Sequence, residues 1–164
     1  MRIRSCVIAI AGLLIPGVAS ATPACDAVRQ LVIAADTHFE GLIARQRYRD
    51  IYEGSLIVPG FTECEMSRDD YPNGLTNYPP GHAVEYGCVV RFEVPVPATE
   101  LKDSLIADME QCLGVAPAHD RGGSAFVLSE IPDYRQVRVS MYESGSTQYA
   151  VRIALWRYEA NGGQ

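Results

Sequence analysis

Lysine is almost missing from this chain: Lys102 is the only one, and the remaining basic residues are arginines. No C-x-x-C occurs, which excludes thioredoxin-type redox chemistry and the usual zinc-ribbon spacing. No G-x-S-x-G is present, so the nucleophile elbow of the serine hydrolases is absent. The acidic residues do not follow the order of an EF-hand. No apolar run reaches the ~20 residues that a spanning helix needs. Positive charge is also scarce, with 14 basic against 20 acidic residues and a net charge of −6. That balance argues against nucleic acid and anionic lipid as partners, because both require a basic surface.

What is present starts at the N-terminus. Arg2 and Arg4 precede an apolar run from Cys6 to Val18, and Ala19-Ser20-Ala21 forms a small-x-small cleavage signal. Together these read as a secretory signal peptide over residues 1–21. Thr22-Pro23-Ala24 before Cys25 fits a lipoprotein signal poorly. The organisation expected is a signal over 1–21, one disulfide-stapled domain over 22–159 and a frayed end over 160–164, in a periplasmic or secreted protein. Loss of Arg2 and Arg4 would leave a mature charge of about −8, which keeps an exported protein soluble and suits a basic partner.

Four cysteines survive cleavage: Cys25, Cys64, Cys88 and Cys112. An even count in an exported chain implies two bridges, with three possible pairings.

The pattern of apolar residues supplies the elements. Thr22-Pro23 is a capping hydroxyl followed by proline at the first helical position. Val28, Leu31, Val32, Ala35, Phe39, Leu42 and Ile43 then recur at three- and four-residue steps, predicting a helix over about 23–47 with Cys25 on its apolar stripe. Ser55–Val58 is a short apolar run stopped by Pro59-Gly60. Phe61–Met66 reads as a short strand with Cys64 on its inner face. Ser67–His82 is rich in Asp, Pro, Asn and Gly and reads as a long loop. Val84–Val94 alternates cleanly, with Tyr86 and Cys88 on the apolar face. A second helix is expected from about Ala98 to Leu113, stopped by Gly114 and Pro117. Ala118–Gly123 reads as loop. Three closing strands are expected near 125–131, 137–142 and 149–155.

The fold class is therefore α+β, in the order α-β-β(-β)-α-β-β-β: one antiparallel sheet of about five to six strands with two helices on one face. The order resembles a loose duplication of a helix-and-strands unit, without evident identity between the halves. Cys64 and Cys88 lie on core faces of adjacent strands, and Cys25 and Cys112 on apolar faces of helices sharing one side of the sheet. The expected bridges are Cys64–Cys88 and Cys25–Cys112.

A cysteine opening a long helix, Pro59-Gly60 leading to Cys64, the Tyr86-x-Cys88 strand and Cys112-Leu113 at a helix end resemble a pattern in small exported disulfide-bonded α+β proteins of proteobacteria. That resemblance supports the disulfide framework and implies no activity.

The candidate sites are few. The loop through Tyr71, Pro72, Tyr78 and His82 offers tyrosines on proline-ordered backbone, a composition suited to an interface. His119 and Asp120, beside Arg121, two glycines and Ser124, form the most catalysis-like cluster, although catalytic sets are normally assembled from distant segments. His38 reads as a boundary histidine on the first helix. Nothing in the spacing requires a His82–His119 metal pair, and no metal or other cofactor is assigned. Glu63, Glu65, Asp69 and Asp70 read as a solvated acidic edge. The main functional expectation is a binding module for a protein or peptide, in an inhibitor, immunity-type or envelope-accessory role. One alternative is a small exported hydrolase using the His119 loop. The other is a structural envelope protein without a discrete site.

Overall fold

A computed structural model describes residues 22–75, 78–120, 122–130, 132–145 and 148–161, with Asp120 described by its backbone only. The segment 1–21, expected to be a signal peptide, lies outside the described residues.

Helix α1 (Pro23–Ala34) begins as its sequence demands. Thr22 Oγ1 accepts from the Cys25 amide at 3.3 Å, Pro23 takes the first turn, and Asp26 adds negative charge there. It ends much earlier than the expected residue 47. A 3₁₀ turn at Ala35–Thr37 follows, and His38 and Phe39 then adopt left-handed backbone with φ of 52° and 59°. The apolar stripe continues to Ile43, but Phe39 reaches the core, where it is fully buried, by reversing the chain. The Arg-rich segment beyond forms β1 (Ile43–Tyr48), paired with β2 (Ile51–Gly54). Helical periodicity cannot distinguish these outcomes, because a tertiary contact at Phe39 overrides local preference.

The strands then run β3 (Glu63–Tyr71) and β4 (Gly81–Phe92), followed by α2 (Pro95–Leu113). Residues 55–58 form no strand; Tyr86 Oη donates to Leu56 O at 2.8 Å and accepts from Leu56 N at 3.0 Å, pinning that segment to the core. Gly114, with φ 66°, caps α2 and donates to Glu110 O at 3.0 Å. The last strands are β5 (Ala118–Asp120), β6 (Gly123–Ser129), β7 (Asp133–Glu143) and β8 (Tyr149–Ala160). The expected loop at 118–123 is thus partly strand.

The sheet has eight strands in the order β1-β2-β3-β4-β8-β7-β6-β5, all neighbours antiparallel. The expected five to six strands fall short because β1, β2 and β5 carry almost no buried side chains. They are held by the backbone ladder and give little apolar alternation to read. Each half of the chain is a helix followed by four strands, and the last strands of the halves, β4 and β8, pair at the centre over their full length.

Both helices pack against one face of the sheet. Val28 and Leu31 of α1 and Leu105 and Met109 of α2 share a core with Tyr86 and Cys88 of β4 and Ile153 and Leu155 of β8. Cys25–Cys112 joins the helices and Cys64–Cys88 joins β3 to β4, the two expected bridges. No described helix is long and apolar enough to cross a membrane.

Candidate functional site

Strand pairing brings chemistry to one end of the central seam. His82 near the start of β4 opposes Glu159 near the end of β8. Both lie on the helix side of the sheet, since side chains alternate faces and Val84 and Leu155 point into the helical core. The left-handed turn after α1 swings His38 onto the same spot. Glu159 Oε2 accepts from His82 Nε2 at 2.7 Å and from His38 Nε2 at 3.1 Å. One donor atom from each of the three residues falls within 4.8 Å of the others.

The carboxylate is fixed from behind. Arg157 Nη2 pairs with Glu159 Oε1, while Arg157 Nε donates to Asp133 Oδ1 at 2.8 Å and Nη1 donates to Ala35 O. Arg157 is 8% exposed, so these contacts hold it rigidly. Arg135 clamps the same corner through Asp133 and through Asp36 at 2.7 Å. Partial burial would raise the Glu159 pKa, but the hydrogen bonds from His38 and His82 and the charge of Arg157 prevail. The carboxyl is held below its ordinary range.

His38 and His82 are about one-third and two-fifths exposed. They open onto a cleft of about 230 Å³ that Glu40, Arg68, Asp69 and Asp70 also line. The backbone at His38 and Phe39 is costly: non-glycine residues held left-handed store roughly 1–3 kcal/mol each, and such strain concentrates at functional sites. The buried Phe39 ring, 5.5 Å from that of Tyr86, keeps the turn in place.

The residues singled out by sequence fall in several places. His82 joins the cluster. Tyr71 ends β3, and Pro72 turns the chain after it. The expected long loop shortens to residues 72–80, because β3 runs on to Tyr71 and β4 starts at Gly81. Tyr78 and Pro79 of that connection lie against the helix-free face. The Tyr78 ring lies 5.3 Å from Tyr134, 5.7 Å from Trp156 and 5.1 Å from Tyr158, and Tyr71 lies 6.0 Å from Tyr158. Tyr158 Oη donates to Pro79 O.

His119 is exposed on β5, at the sheet edge, with Nδ1 3.2 Å from Ser124 Oγ. Among the described residues no carboxylate hydrogen-bonds or ion-pairs with it. The side chain of Asp120 lies outside the described residues. Three strands separate His119 from His82, so these two histidines do not meet. The acidic edge is split by strand alternation: Glu63, Glu65 and Asp69 face one way and Asp70 the other, and Glu63 pairs with Arg91.

Sequence reading missed the His38–His82–Glu159 grouping. The three residues stand 44 and 77 positions apart, as 38, 82 and 159, and no local motif links them. The available signal was His38 placed directly before Phe39, off the helical stripe. No protein-family model, curated protein or solved structure matches the chain. The exported-protein resemblance therefore rests on its motifs alone.

Proposed function

We propose that this protein is an exported, disulfide-stapled domain that holds a divalent transition metal on His38, His82 and Glu159 and uses it for hydrolysis. The observation that carries the reading is the convergence of two imidazole nitrogens and a carboxylate oxygen from three distant segments. That is a donor set for zinc-type sites, and three protein ligands leave a tetrahedral ion one open position for water. Metal–ligand distances of about 2.0–2.1 Å place tetrahedral ligand atoms about 3.3 Å apart. The His–Glu separations of 2.7 and 3.1 Å need only a small spreading to admit an ion.

The chain's own groups fit the task. Arg157 occupies the second oxygen of Glu159, which leaves Oε2 to ligate singly. To hold an ion through Nε2, each histidine would carry its ring proton on Nδ1. The cleft beside the histidines gives a substrate access, and Glu40 and Asp70 line it with carboxylates suited to taking a proton from water.

Zinc titration of the oxidised protein by calorimetry tests this reading. One site is expected, lost in His82→Ala and in Glu159→Gln and retained in His119→Ala. A panel of ester, peptide and phosphoester substrates then reads metal-dependent turnover. No zinc binding, or binding undiminished in both cluster variants, overturns the metal site. Turnover lost in His119→Ala alone would move the hydrolase to that loop.

Partner binding through Tyr71 and Tyr78 ranks second. Its support is the aromatic cluster they join on the helix-free face. Their rings are already engaged with Trp156 and Tyr158, which leaves less of them for a partner.

A further inference from the structure

The cleft beside the histidines carries charge of both signs, and strand phase explains the arrangement. Met66 of β3 lies in the helical core, so Arg68 and Asp70 follow it on the same face. Asp70 opposes His82 in register, and Arg68 opposes Val84. Two rows therefore cross this end of the sheet on the helix side: Asp70–His82–Glu159–Asp133 and Arg68–Val84–Arg157–Arg135. They lie two residues apart along each strand, which is about 7 Å.

The arginines of the second row are in different states. Arg157 and Arg135 are engaged with Glu159, Asp133 and Asp36. Arg68 is exposed, lines the cleft, and among the described residues ion-pairs with no carboxylate. Its guanidinium carbon stands 5.6 Å from the centre of the Tyr52 ring, and its backbone amide donates to Asp50 O at 3.0 Å. The ring and the backbone bond fix where this cation stands. Contact with a ring face leaves the fork of N–H donors available at the guanidinium edge.

We infer that the metal cleft takes the carboxyl end of a short peptide, with Arg68 holding the α-carboxylate, and releases the last residue. This rests on the metal reading of His38, His82 and Glu159. A cleft of about 230 Å³ falls below the ~300 Å³ at which ligand pockets usually begin, so it suits a chain end better than a chain passing through. Spacing agrees: an ion–oxygen bond of about 2 Å, one residue of chain at about 3.5 Å and a charge-assisted hydrogen bond of about 2.8 Å bridge the two rows. Charge agrees as well. The ion and Arg68 attract a single carboxylate, whereas Glu40 and Asp70 oppose the double charge of a phosphoester. A phosphoester would also carry its charge on the reacting group, leaving Arg68 a row away. In the reaction, water adds across the last amide. Its oxygen bonds to the carbonyl carbon as the C–N bond breaks, and its proton passes through Asp70 to the departing nitrogen.

The oxidised, zinc-loaded protein is assayed with benzoyl-glycyl-alanine, with its C-terminal amide and with p-nitrophenyl phosphate. The free acid is expected to exceed the amide by about tenfold or more in kcat/KM, and the phosphoester to be the poorest. Arg68→Gln should remove the preference for the acid, chiefly through a KM raised about tenfold, and Arg68→Lys should restore part of it. Zinc affinity by calorimetry should match wild type in both variants. Equal turnover of acid and amide, preference for the phosphoester, or an undiminished acid preference in folded Arg68→Gln would each overturn the inference. If no substrate turns over, the zinc-loaded protein is titrated with succinic monohydroxamate and with its amide counterpart. Tighter binding of the acid that is lost in Arg68→Gln supports the carboxylate seat, and equal binding overturns it. A wild type that binds no zinc ends the metal reading and this one together, whereas zinc bound without a preference for the acid ends this one alone. If Arg68→Gln does not fold, the acid–amide comparison and Arg68→Lys decide it.

Discussion

His82 and Glu159 are 77 positions apart in the chain, yet they occupy opposed places on β4 and β8, with Nε2 2.7 Å from Oε2. Their contact exists because the two halves of the chain meet along that strand pair. One histidine comes from the first half, the carboxylate from the second, and a turn after α1 adds His38. The candidate site is thus a product of the seam, and disturbing the seam should disturb the site.

His38 separates function from stability. Holding a non-glycine residue left-handed costs about 1–2 kcal/mol, and a partly exposed His–Glu contact returns about 0–1 kcal/mol. His38→Gly should therefore leave the unfolding free energy unchanged or raise it by up to about 2 kcal/mol, while removing the zinc-induced stabilisation expected of the wild type. Urea melts with and without zinc measure both. A clear destabilisation would mean that His38 serves the fold instead.

Tyr86 anchors the strandless segment after β2. Tyr86→Phe keeps the ring and removes both hydrogen bonds to Leu56, leaving a partly buried amide and carbonyl short of partners. The expected cost is about 1–3 kcal/mol, read by chemical denaturation. Gly54→Ala should act on the same spot, since its Cβ would collide with the Tyr86 hydroxyl.

The helix-to-helix bridge closes the longer loop, with 87 positions between its cysteines against 24 for the strand bridge. In the chain-entropy account it contributes about 4.6 kcal/mol, against about 3.5 kcal/mol for the shorter one. Replacing Cys25 and Cys112 by serine should thus lower stability more than replacing Cys64 and Cys88. Guanidinium midpoints of the two double variants give the comparison, and a reversed order would refute it.

Asp133 makes acid stability predictable in sign. Hydrogen bonds from Arg135 hold its carboxyl below the usual range, partial burial opposes them, and Arg157 adds to the lowering. Asp36 also faces Arg135, and Glu159 also faces Arg157. A carboxylate with a lowered folded pKa contributes stability that is complete above its unfolded pKa and lost as pH falls through the folded value. Asp133→Asn should therefore be less stable than wild type near neutrality, and the gap should close in acid, below the normal aspartate range. Urea melts over that interval test it; a gap that persists in acid would assign the effect to packing.

Much of the fold was legible because its signals are local. Thr22-Pro23 announces α1, Gly114 ends α2, and the alternation from Val84 to Phe92 can only be a half-buried strand. The cysteine pairing followed from which faces those elements present. The boundary of α1 was not legible, since the stripe through Leu42 and Ile43 satisfies a helix as well as the reversal that buries Phe39. The edge strands β1, β2 and β5 escaped for the opposite reason: with few buried side chains, they have no apolar pattern to show. The Ser67–His82 segment looked like a free loop because its Pro and Gly content marks turns, while the extension of β3 to Tyr71 and the aromatic docking of Tyr78 onto Trp156 and Tyr158 are non-local.

By itself, the sequence determined an α+β domain with two disulfides and an acidic balance, because composition, periodicity and turn chemistry act over a few residues. Only the tertiary structure decided that β4 pairs with β8, and so that His38, His82 and Glu159 converge and that Arg152 reaches Glu85 over Gly87. Those groupings depend on register between segments far apart in the chain. A one-residue slip would send each of these side chains to the other face, and no short window of sequence records that choice.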